Sequence, residues 1–143
     1  MSKWFPNVDD HNGADAALKG GFYGALAFAA MVVLGSALLI FSGRTPDLNR
    51  PVGGIAGPLI GMMIELALVL IGAWRFKIGK GLVWGPLILV LFVAEIATKV
   101  IGGTTNVGWM FFYAGVGAGL INGIRGAWAK KHLPEDDYAE VFE

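Results

Sequence analysis

Two carboxyls stand in otherwise apolar surroundings. Glu65 interrupts a run from Pro51 to Trp74, and Glu95 lies in a run from Gly81 to about Gly102. A charge at the centre of a bilayer costs ~2.5–3.5 kcal/mol on insertion scales, so such residues face protein or a wet cavity. They serve either as proton or cation sites or as neutral carboxyls that hydrogen-bond one helix to another. Glu65 lies nine residues before Trp74 and Glu95 eleven after Trp84, which is ~14 and ~16 Å of helix. If both tryptophans mark one interface, the two carboxyls share a depth near the midplane. Two close carboxyls in a poorly solvated place do not both ionise, so at least one is expected to hold a proton.

Lys99 follows Glu95 by four residues, the favourable order for an ion pair on one helix face. Its long stem can also reach the outer interface. Glu95 and Lys99 therefore read as a structural pair, and Glu65 is the stronger functional candidate. Asn122 and Arg125 are potential polar partners for Glu65. The candidate proton or ion site is thus Glu65, Glu95 and Asn122.

Other chemistry finds little footing. The chain has no Cys, and its two histidines, His11 and His132, lie outside the apolar runs. No pair of histidines at helical spacing points to haem, and no Glu-x-x-His points to a di-iron centre. No phosphate loop or nucleophile motif is present. Asp9, Asp10 and His11 read as a solvated turn rather than metal ligands. Eleven basic residues balance eleven acidic ones, which gives no footprint for nucleic acid. The expectation is a non-enzymatic protein without cofactor or metal.

The elements that position these residues follow from composition. Of 143 residues, 55% are hydrophobic and 15% charged, with 22 glycines and a mean hydropathy of +0.62. Soluble domains carry ~25% charge. A helix needs ~20 mostly apolar residues to cross the hydrocarbon, and four runs qualify: 20–43, 51–74, 81–102 and 107–128. Barrel strands are half as long and alternate in polarity. The reading is an all-α, four-helix transmembrane bundle spanning 20–128. A polar segment, 1–19, precedes it, and an acidic tail, 129–143, follows. Residues 12–19 can extend the first helix, with Asp15 and Lys19 paired one turn apart. The short 75–80 connection makes the second and third spans an antiparallel hairpin.

Glycines recur every fourth residue at Gly53, Gly57 and Gly61, with Glu65 next on that stripe, and again at Gly115, Gly119 and Gly123. Gly20 and Gly24 begin a weaker stripe. Small residues at this spacing let helix backbones approach closely in lipid. The stripes serve either packing within the bundle or an interface between subunits.

Orientation follows from Lys and Arg, which concentrate on the cytoplasmic side. Eight of them (Lys3, Lys19, Arg75, Lys77, Lys80, Arg125, Lys130 and Lys131) fall at the end holding both termini, against Arg44, Arg50 and Lys99 at the other. Both termini are expected to be cytoplasmic. Tyr23, Trp74, Trp84 and Trp128 fall at the inner headgroup level, and Phe41 and Trp109 at the outer, where amphipathic rings collect.

Three stretches carry a resemblance: AWRFKIGKG (73–81), AEIATK (94–99) and INGIRGAWAKKHL (121–133). Together they resemble a set of small four-span bacterial inner-membrane proteins without an assigned activity. That resemblance implies a multi-pass protein of the bacterial inner membrane and brings no mechanism. Small multidrug exporters also have four spans and an intramembrane Glu, but theirs is in the first span, which here has no acid. The leading expectation is a helix-packing oligomer or an accessory subunit of a membrane complex. The alternative is a proton- or ion-coupled transporter or channel subunit using Glu65 with Glu95.

Overall fold

A computed structural model describes residues 5–41, 56–103 and 106–134, apart from the side-chain surroundings of 39–40 and 56–58. Four helices account for nearly all of them: α1 (His11–Phe41), α2 (Ala56–Lys77), α3 (Trp84–Ile101) and α4 (Val107–His132). No strand occurs among the described residues. Each helix is long and apolar enough to cross a bilayer. The chain is an all-α four-helix bundle with the character of a multi-pass membrane protein. Gly53 and the tail from 135 onward lie outside the described residues, as do the surroundings of Gly57.

Local chemistry sets the helix ends. The Asp10 carboxylate accepts from Gly13 N at 2.7 Å, an N-cap that starts α1 nine residues before the apolar run. Residues 11–19 are therefore continuous with the first span. Asn106 caps α4, its Oδ1 accepting from Trp109 N at 3.1 Å. Gly79, at φ +74°, ends α2. Lys80 N donates to Arg75 O and Gly79 N to Phe76 O, the paired bonds of a Schellman stop, which needs a residue free to enter the left-handed region. Pro58 and Pro86 each fall in a first turn, where the missing N–H would have no helical partner.

α1 is the central element. It packs most extensively on α4, next on α2, and touches α3 across the diagonal. Glycines make the α1–α4 contact close. A Cβ at Gly123 would lie 2.5 Å from Gly21 Cα, one at Gly24 would lie 3.2 Å from Gly119 Cα, and one at Gly126 would lie 2.7 Å from Ala14 O. Phe76 of α2, fully buried, fills a socket of glycines: Gly21, Gly81, Gly85 and Gly123 all lie against its ring. A flat ring fits there because four positions from different segments present no side chain. Further along the bundle, Phe92 meets Phe28 and Tyr113 edge-on.

Asp15 pairs with Lys130 of α4 at 2.8 Å rather than with Lys19. This contact, and the His11–Pro134 hydrogen bond of 3.0 Å, put the start of α1 and the end of α4 at one end of the bundle. The α2–α3 turn joins them there, with Lys130 lying over Gly79.

Candidate functional site

α2 and α3 form the thin side of the bundle. In α3 only Gly85, Ile88 and Phe92 are buried, and much of the apolar surface of both helices points outward, including Met63, Ile64, Val90 and Val93. A hollow of about 310 Å³ lies between the two helices on this side. Glu65 and Glu95 both border it, with Gly61, Leu68, Ala94 and Thr98 around them. The two carboxyls at matching depth are thus brought to one place.

Lys99 completes the cluster. Its Nζ lies 2.7 Å from Glu95 Oε1, with both side chains 24% exposed. Its ammonium also lies toward α1, 3.6 Å from where a Cβ on Gly35 would stand. The head of Lys99 therefore lies against Gly35 of α1. Glu65 is within electrostatic reach of both Glu95 and Lys99. Two carboxyls and one ammonium form a neutral set when one carboxyl holds a proton, which is the inexpensive state for such a group in hydrocarbon.

Two other residues sit differently from their reading in the sequence. Asn122 is buried, but at the far end of the bundle, where its Oδ1 accepts from Arg125 Nη1 at 3.2 Å and its Cβ stands against Gly20. Gly20 is level with Phe76 in the socket, and Glu65 is eleven residues from Phe76 along α2, ~16 Å away along the axis. Asn122 is not part of the Glu65 site. At Gly61 nothing among the described residues lies within 4 Å of its Cβ position. Gly61 points out of the bundle, whereas Gly119 and Gly123 of α4 point into α1. Gly115 lines a shallow groove between α1 and α4, with Gly20, Gly24 and Phe111.

The hollow opens sideways out of the bundle, toward the surroundings of α2 and α3. It is neither an interior chamber nor a channel between the helices. Among the described residues no group of three or more His, Cys, Asp or Glu is placed to hold a metal ion. The cluster presents carboxyl oxygens that can accept polar groups from another helix laid against it. No family model, no curated protein and no solved structure matches this chain.

Proposed function

We propose that the chain is a small, non-enzymatic integral membrane protein of the bacterial inner membrane, acting as an oligomer or as an accessory subunit of a membrane complex through its α2–α3 face. One observation carries this reading: Glu65 and Glu95 border a hollow open to the outside of the bundle. Left against lipid, a carboxyl pair at mid-depth is costly. A second helix over the hollow supplies hydrogen-bond partners and excludes the tails. Gly61 supports the same reading. It stands one turn before Glu65, and its bare backbone lets another helix approach closely. Gly61→Ile is expected to leave the monomer folded, because no neighbour is displaced, and to shift the protein to a smaller assembly in mild detergent. Unchanged migration of this variant on native gels would count against the interface.

The alternative, proton- or ion-coupled transport, is favoured by the meeting of Glu65 and Glu95 in one hollow within reach of Lys99. Glu65→Gln separates the two. It mimics the neutral carboxyl, so the subunit role survives it, whereas a proton-cycling role is lost.

Both termini lie on the cytoplasmic side in this reading, on the strength of the eight-to-three division of Lys and Arg. A C-terminal reporter active only outside the cytoplasm is expected to stay silent, and a strong signal from it would reverse the orientation.

A further inference from the structure

Three lysines from three helices border one hollow of about 350 Å³ at the end of the bundle where α1 starts and α4 ends: Lys19 of α1, Lys77 of α2 and Lys130 of α4. Asp15 is the only carboxylate among its lining residues, and its partner is Lys130. Lys19 and Lys77 are exposed, and among the described residues neither takes part in an ion pair. Two positive charges are left over around a hollow whose floor includes Phe22 and Phe76.

The depth of this hollow points to its occupant. Counting back from Phe41 along α1, ~30 Å of hydrocarbon takes ~20 residues, which places Lys19 just past the boundary. The same count forward from Val107 along α4 ends just short of Lys130, and Lys77 is the last residue of α2. The rings of Tyr23, Trp74 and Trp128 are exposed at this level, as expected of a headgroup belt. Ammonium groups over an apolar floor, at the headgroup plane and between helices, suit a phosphate whose acyl chains continue into the bilayer.

We propose that this hollow binds the phosphodiester headgroup of an acidic phospholipid. Lys19 and Lys77 take the phosphate, while Lys130, held by Asp15, frames the third side. Zwitterionic lipids bring an ammonium of their own, which the surplus positive charge repels, so the site selects anionic lipids. The volume lies in the range of small-molecule sites, ~300–1,000 Å³, and holds one headgroup.

The test uses the purified full chain titrated with phosphatidylglycerol, cardiolipin or phosphatidylcholine, with bound lipid counted by native mass spectrometry. Acidic lipids are expected to bind at least about tenfold more tightly than phosphatidylcholine. Lys19→Gln/Lys77→Gln is expected to weaken them on the order of tenfold. Lys80→Gln/Lys131→Gln removes the same charge from exposed positions outside the hollow and is expected to keep affinity within about twofold. Circular dichroism checks that both double variants remain helical. Equal binding of phosphatidylcholine, or equal losses in the two double variants, would overturn the proposal. Displacement of the acidic lipid by millimolar glycerol 3-phosphate would assign the hollow to a soluble anion and overturn the lipid assignment.

Discussion

Gly123→Ile is expected to abolish the folded state in mild detergent, while Gly61→Ile leaves it intact. A side chain at 123 starts 2.5 Å from Gly21 Cα and 2.8 Å from Phe76 Cε1. The first neighbour is backbone and cannot rotate away. The second is a ring confined by glycines from α1, α3 and the α2–α3 turn. An added Cβ alone demands that α1 and α4 separate, and the branches of Ile widen the gap along the largest contact in the bundle. Overpacking a core costs ~1–3 kcal/mol where side chains can give way. Here the backbone must move, so the effect lies at or beyond the upper end. The readout is a monodisperse peak by size exclusion and a cooperative thermal transition. Gly123→Ile is expected to lose the peak or to melt lower by on the order of 10 °C, and wild-type behaviour would show that the α1–α4 approach is not close in the membrane.

Removing the carboxylate beside Lys99 is expected to have the next largest effect. In a Glu65→Gln background, Glu95→Leu removes the carboxylate 2.7 Å from an ammonium that is only 24% exposed. A lysine at the centre of a span costs ~2.5–3.5 kcal/mol. Lys99 is two residues from the end of α3 and can partly snorkel, so about 2 kcal/mol is expected. Adding Lys99→Leu removes the charge that has lost its carboxylate and should restore most of the stability, the signature of a coupled pair. Reversible unfolding in mixed micelles measures the cycle. Independent, additive losses would mean that the ion pair contributes nothing.

The helices were legible because a bilayer imposes length on an apolar run, and four such runs stand out whatever their packing. The start of α1 was legible as a possible extension. Its fixing residue, Asp10, is a cap and lies outside the hydrophobic pattern. The pairing of Glu95 with Lys99 follows from helical spacing within one element. Relations between elements were harder. A period of four identifies a glycine stripe but not the direction it faces. Gly119 and Gly123 turn inward to α1 while Gly61, on an equally regular stripe, turns outward. Polarity alone groups Asn122 with Glu65, though its level, opposite Gly20, is that of Phe76. The Phe76 socket left no signal at all. Its glycines come from three separate stretches, and nothing in the sequence unites Gly21 and Gly123 with the Gly81–Gly85 pair. The convergence of Lys19, Lys77 and Lys130 was visible only as a concentration of Lys and Arg at one end.

The central claim is that another protein helix covers the α2–α3 face at Glu65. The absence of Cys from the chain makes site-directed cross-linking the most direct measurement. Gly61→Cys places a thiol beside the hollow, and Leu34→Cys places one at similar depth on an exposed position of α1 that borders a hollow toward α4. Both variants are oxidised in native membranes and resolved by mass. Gly61→Cys is expected to yield a dimer of this chain or, with a bifunctional maleimide, a discrete larger adduct, and Leu34→Cys to stay monomeric. Equal, low yields at the two positions would show that lipid covers both faces and would contradict the account.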